Sequence, residues 1–276
     1  MANPLSQLDE AGDAVRQVIR AYHGSPYDFD RFDASKIGIG EGAQAYGHGL
    51  YFAGAEPTAK SYRDQLSQNS FIVDGASMPM TESTMDSIGI DTRAQGIIRR
   101  ALRDGADPVD RLMQMRSGYG PQSEWHNRLT DAIEVLRSAK GPLRPNPGRM
   151  YEVEIAYPEA ALLDWDRPVR EQPDQIYDAL GWSANPPLVN TLGREGWFGR
   201  SAYYKMAEEL GGADKAAKRL LDSGVPGIRY LDGNSRAAGQ GTRNYVMFPG
   251  TEDSIRILRK YGLLAPIAAG AAMGDE

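Results

Sequence analysis

Gly47-His48-Gly49-Leu50-Tyr51-Phe52-Ala53 joins a glycine-punctuated loop to a short aromatic run, and Tyr62 follows eleven positions after Tyr51. Turn formers that give way to Leu-Tyr-Phe-Ala read as a loop entering a β-strand. Glu56-Pro57, followed by residues 58–68, has the acidic residue and proline that open a helix. Tyr51 and Tyr62 therefore fall one on a strand and one on the helix after it. Upstream, residues 18–22 form an apolar strand that breaks into His23-Gly24-Ser25-Pro26. Downstream, Asn244-Tyr245-Val246-Met247-Phe248 reads as another short strand.

Working outward, residues 1–20 carry Leu5, Leu8, Ala11, Val15, Val18 and Ile19 at roughly helical spacing, which predicts a short leading helix. Phe29 and Phe32 lie in a loop that runs to the glycine-rich stretch at residues 38–49. Residues 74–147 hold Pro, Gly and Met clusters and one clear helix, with Trp125, Leu129, Ala132, Ile133 and Leu136 repeating at three and four, so this part reads as a mostly helical insertion. Strands are expected at 150–155, 161–165, 227–231, 244–248 and 255–258, and helices at 170–180, 201–210 and 213–223. Short strands separated by helices and long loops, without regular βαβ alternation, predict an α+β domain with a split or folded sheet over residues 21–260. Residues 261–276 read as an Ala- and Gly-rich tail.

The 276 residues are 41% hydrophobic and 25% charged, as in an ordinary folded chain. The net charge of −6 gives no bulk reason to expect a polyanion partner. Without cysteine there is no disulfide, thiolate zinc site or cysteine nucleophile, and three histidines make a His-rich metal site unpromising, so no metal is expected. Residues 1–20 mix charged and apolar side chains without the continuous apolar centre of a secretory signal, and the longest uncharged stretch, residues 263–274, is shorter than the ~20 residues a membrane span needs. A cytoplasmic protein without a membrane span is the expectation; the oligomeric state is not set by the sequence.

Tyr22-His23-Gly24-Ser25, the Gly47 to Ala53 segment with Tyr62, and Asn244 to Phe248 together resemble the histidine strand, the tyrosine strand with its helix, and the last catalytic strand of ADP-ribosyltransferases of the diphtheria-toxin and poly(ADP-ribose) polymerase branch. The order of these phrases is also similar to transferase modules of phage and polymorphic-toxin polyproteins. The resemblance implies a split antiparallel β-sheet transferase fold that binds NAD as a substrate and releases nicotinamide. It implies that the Gly24 backbone bonds the carboxamide, that His23 holds the adenosine ribose, and that Ser25 adds a hydroxyl contact. Tyr51 and Tyr62 would sandwich the nicotinamide ring, with Ala53 leaving room for it.

Asn244 departs from the family pattern, which has a glutamate there to grip the nicotinamide ribose and stabilise positive charge. An amide carbonyl still accepts a hydroxyl proton, with roughly half the strength of a carboxylate. The candidate catalytic residues are His23, Tyr51 and Asn244, with Glu152 and Glu154 as substitute carboxylates. The implied activity is mono-ADP-ribosyl transfer to an unidentified acceptor, protein or nucleic acid. The alternatives are a non-catalytic NAD- or ADP-ribose-binding module and a phage structural or injected protein. In the resemblance, residues 232–243 occupy the acceptor-recognition position and the Gly38 to Gly42 stretch covers the NAD phosphates. His48 reads as a loop residue beside the tyrosine strand and His126 as an exposed helical position near Trp125, while Tyr203 lies in a helical pattern outside the motif.

Overall fold

The computed structural model describes residues 18–38, 44–68, 70–73, 76–138, 144–181, 197–233 and 235–262. The greater part of the leading helix, residues 39–43 of the glycine-rich stretch and the tail beyond residue 262 lie outside the described residues. In chain order the elements are β1 (Ile19–Ser25), β2 (Leu50–Ala53), α1 (Glu56–Gln68), β3 (Ser70–Val73), β4 (Ala76–Pro79), α2 (Glu82–Ser87), α3 (Thr92–Arg103), α4 (Pro108–Arg116) and α5 (Glu124–Ser138). They continue with β5 (Arg144–Pro145), β6 (Arg149–Ile155), β7 (Leu163–Asp164), α6 (Asp174–Ala179), α7 (Gly199–Leu210), α8 (Ala213–Asp222), β8 (Gly227–Leu231), β9 (Arg243–Met247) and β10 (Ile255–Tyr261). The protein is thus α+β, with mainly antiparallel strand pairs.

The chain divides into two compact units, one of Met1–His23, Phe29–Ala59 and Tyr151–Arg259, the other of Gly24–Asp28, Lys60–Met150 and Lys260–Glu276. The first is built on a seven-stranded sheet in the order β10-β6-β1-β2-β9-β8-β7, in which β7 and β8 are parallel. The packing of β9 explains the apolar run from Tyr245 to Phe248. Tyr245 and Met247 enter one core cluster with Phe52, Tyr151 and Val153, while Val246, with Phe248 just beyond the strand, enters another with Ile228, Tyr203 and Trp165. A strand covered on both faces has no wet side to mark with polar residues. Glycine brackets β2 for a steric reason: a Cβ at Gly49 would collide with the Met247 carbonyl, and one at Gly54 with the Arg243 carbonyl.

The other end of this sheet is charged. Arg20 of β1 and Arg259 of β10 pair with Glu152 of β6, and Arg256 pairs with Glu154.

In the second unit, α2 to α5 enclose a core of Ile98, Leu112, Leu129, Ile133 and their neighbours. Asp91 and Asp107 cap α3 and α4 by accepting from the Arg93 and Val109 amides. Residues 74–147 are not helical throughout, because β4 and β5 both pair with β3 in a small antiparallel sheet.

Three expectations change. Ile19 and Arg20 open β1 and do not close a helix, and Tyr261 ends β10 and does not begin the tail. The helix expected over 170–180 is a 3-10 turn at Val169–Glu171 followed by α6, because Pro173 at the N-cap of α6 has no N–H to continue the turn and restricts the residue before it.

Candidate functional site

One row of side chains crosses the sheet of the first unit. Tyr22 of β1 pairs with Ala53 of β2, Ala53 with Asn244 of β9, and Asn244 with Tyr230 of β8. Alternation places all four on the face that also carries Tyr51, Val246 and Ile228. Asn244 is only 4% exposed, and its Oδ1 has no hydrogen-bond donor among the described residues. Leaving a buried carbonyl unpaired costs about 1–3 kcal/mol. Small Ala53 on one side and flat Tyr230 on the other leave this acceptor as the polar atom of the row's centre.

His23 faces the opposite way. Its Nδ1–H donates to the Tyr51 carbonyl at 2.9 Å, since that oxygen can only accept, which leaves Nε2 as an acceptor. The ring sits among Phe32 at 5.2 Å, Phe52 at 5.8 Å, Phe29 and Tyr151. Burial pushes the imidazole pKa below its ordinary value, opposed by the bond to Tyr51. His23 is therefore a neutral ring with a fixed tautomer.

Tyr51 is more constrained than the sequence implies. Its hydroxyl donates to the Gly47 carbonyl at 2.8 Å and accepts from the Tyr46 amide at 3.1 Å, and burial pushes its pKa far up. Two tyrosines of α7 complete the attachment of residues 44–49. The Tyr203 hydroxyl accepts from the His48 amide at 3.1 Å and donates to the Ala213 carbonyl, and the Tyr204 hydroxyl donates to the Ala45 carbonyl at 2.9 Å. Tyr203, outside the motif, is thus a fully buried support of the loop that leads into β2.

The structure brings His23, Tyr51, Ala53 and Asn244 into the first unit, whereas Gly24, Ser25 and Tyr62 belong to the second. Gly24 and Ser25 end β1, and the Ser25 hydroxyl already accepts from the Tyr27 amide at 3.0 Å. Tyr62 is 52% exposed on α1 and makes no hydrogen bond or ring contact among the described residues. His48 bonds Gln44, and His126 is part-buried on α5, not exposed as its helical position implied.

Glu152 and Glu154, the expected substitute carboxylates, do not stand beside Asn244. They lie on β6, separated from β9 by β1 and β2, and both are held in ion pairs with arginines. The fully buried acid of the unit, Asp164, is on β7 and takes Arg229 at 3.1 Å and Arg243 at 3.2 Å, while Glu159 accepts from Tyr245 at 2.6 Å. Arg229, Arg243 and Tyr245 alternate with Asn244 and its row, so this network supports the strand from the other side.

Sequence reasoning missed Tyr46, Tyr230 and Arg236. The Tyr46 ring stacks on Tyr230 at 3.9 Å and 8°, and Arg236 bonds the Tyr46 hydroxyl. The only local signal for them was the position of Tyr46 at the end of the glycine-rich stretch. Among the described residues no helix is long and apolar enough to cross a membrane, and no group of His, Asp and Glu side chains is arranged to hold a metal ion. Comparison with protein-family models, with curated proteins and with solved structures found no match to this chain.

Proposed function

We propose that the protein is an NAD-dependent mono-ADP-ribosyltransferase with the split-sheet transferase fold, acting on a protein or nucleic-acid acceptor. The observation that carries the reading is the unpaired Asn244 carbonyl in the row Tyr22–Ala53–Asn244–Tyr230. A buried acceptor without a donor is retained at a cost to stability, and a ribose hydroxyl is a donor of the right kind. In the proposed reaction the bond between the nicotinamide nitrogen and the ribose anomeric carbon breaks with its electron pair going to nicotinamide. The acceptor nucleophile then bonds that carbon and gives up its proton to solvent. Asn244 Oδ1 accepts the ribose hydroxyl, and the interaction counts most as positive charge develops on the sugar.

Neutral His23, on the opposite face from Asn244, acts in this proposal through its bond to the Tyr51 carbonyl, which fixes β2 beside the row. Within the first unit, the ring of Tyr51 and the small side chain of Ala53 flank the nicotinamide in this proposal.

A second reading, an NAD- or ADP-ribose-binding module without catalysis, draws on the amide at 244 and on the engagement of Glu152 and Glu154 by arginines. Nicotinamide release and label transfer from NAD, measured for wild type, Asn244→Ala and Asn244→Glu at saturating NAD, separate the two. Transfer by wild type, loss in Asn244→Ala and retained or faster cleavage in Asn244→Glu support the enzyme. Binding without nicotinamide release under any acceptor condition supports the module. Wild-type rates in Asn244→Ala remove Asn244 from the mechanism.

A further inference from the structure

The loop between β8 and β9 brings a guanidinium to the Asn244 face. Arg236 begins a 3-10 turn, and its Nη2 donates both to the Tyr46 hydroxyl at 2.5 Å and to the Leu231 carbonyl at 3.2 Å. Its Cζ lies 5.3 Å from the centre of the Tyr46 ring. That ring stacks on Tyr230, the strand partner of Asn244. Arg236, Tyr46, Tyr230 and Asn244 thus form one continuous chain of contacts within the first unit.

The remaining donors of Arg236, on Nε and Nη1, have no partner among the described residues, and no carboxylate is within ion-pair distance of it. Its neighbours differ: Arg229 and Arg243 both close on Asp164. The acid of the same loop, Asp232, accepts from the Ser235 amide and the Thr242 hydroxyl. A guanidinium anchored by one nitrogen over an aromatic face, with the rest of its fork open and its charge uncompensated, matches the geometry of a phosphate. In a protein of net charge −6 an anionic substrate is repelled in bulk, so one local cation weighs heavily.

We propose that Arg236 binds the diphosphate of NAD, with Tyr46 as its positioning residue; this rests on the NAD reading above. The diphosphate hangs from the same ribose whose hydroxyl Asn244 would take, so the chain from Asn244 through Tyr230 and Tyr46 ends where the substrate's charge begins.

The test is calorimetric titration of wild type, Arg236→Gln, Arg236→Lys and Tyr46→Phe with NAD and with nicotinamide riboside, which has no phosphate. Arg236→Gln should weaken NAD about 10- to 100-fold, the value of losing a hydrogen bond between charged groups, and leave nicotinamide riboside unchanged. Arg236→Lys should recover part of the NAD affinity, and Tyr46→Phe should lose a smaller part. The salt dependence of NAD binding should flatten in Arg236→Gln. Equal NAD affinity in wild type and Arg236→Gln overturns the assignment while the NAD reading stands. So does an equal loss for both ligands, which marks a purely structural role. So does intact NAD binding with lost label transfer, which moves Arg236 to the acceptor. If wild type binds no NAD, the NAD reading itself has failed and this assignment falls with it.

Discussion

Replacing Asn244 by leucine separates what the site needs from what the fold needs. The side chain is almost fully buried and its carbonyl has no donor among the described residues, so the native fold carries an unpaired acceptor worth about 1–3 kcal/mol. Leucine has nearly the same shape and no polar atom to satisfy. Asn244→Leu should therefore be more stable than wild type by up to that amount. For a unit of this size each kcal/mol moves Tm by about 2–4 °C, so a rise of about 2–12 °C is expected by scanning calorimetry without ligand. At a hundred times its Kd, NAD should add about 2.7 kcal/mol to wild type and nearly as much to the variant, because the Asn244 contact counts chiefly in the transition state, whereas the variant should release no nicotinamide. A Tm below that of wild type in the absence of NAD would refute the reasoning, since it would mean that the carbonyl is satisfied in solution.

Tyr62→Ala should change stability by less than about 0.5 kcal/mol, as expected of an exposed side chain without partners; a larger loss in urea titration would show that its ring makes a contact in solution. Tyr203→Phe should lower Tm, because it frees the His48 amide and the Ala213 carbonyl that its hydroxyl bonds, and a variant as stable as wild type in denaturant titration would show that these bonds are dispensable. Asp164→Ala should cost about 3–5 kcal/mol, since it leaves Arg229 and Arg243 without the buried charge they share; a loss under 1 kcal/mol in urea titration contradicts that. The depressed pKa of His23 makes stability fall as pH drops below ~6.5, where the unfolded chain takes up a proton that the folded ring refuses, with a slope of at most about 1.4 kcal/mol per pH unit. That component should vanish in His23→Asn, and an unchanged slope would assign it to another group.

Local pattern carried the strands that end in turn formers. Gly227 to Leu231 and Ile255 onward are strands because apolar residues there alternate or run on between glycine, proline and acidic breaks. Pattern failed at β3 and β4, where Ser, Met and Pro dilute the alternation and pairing with each other and with β5 decides the structure. The site divides the same way. Tyr51, Ala53 and Asn244 stand in strands whose spacing shows in the sequence, and their pairing then follows from register. The supports of that row did not show. Arg236 reaches Tyr46 across 190 positions and Tyr204 reaches Ala45 across 159. Such contacts depend on how strands and helices are ordered in the fold, which no short spacing encodes.

The ion-paired side chains of β6 and β10 bear on how this protein behaves among its own copies. β10 ends the seven-stranded sheet, and an end strand is a template on which another chain can add. Here that border carries Arg256 and Arg259, each held out by a glutamate of β6. A second copy docking its own β10 alongside would set arginine against arginine. Among the described residues this charge discourages fibril-like growth at the edge, and substitutions that neutralise Arg256 and Arg259 should be felt as lost solubility before they are felt as lost fold.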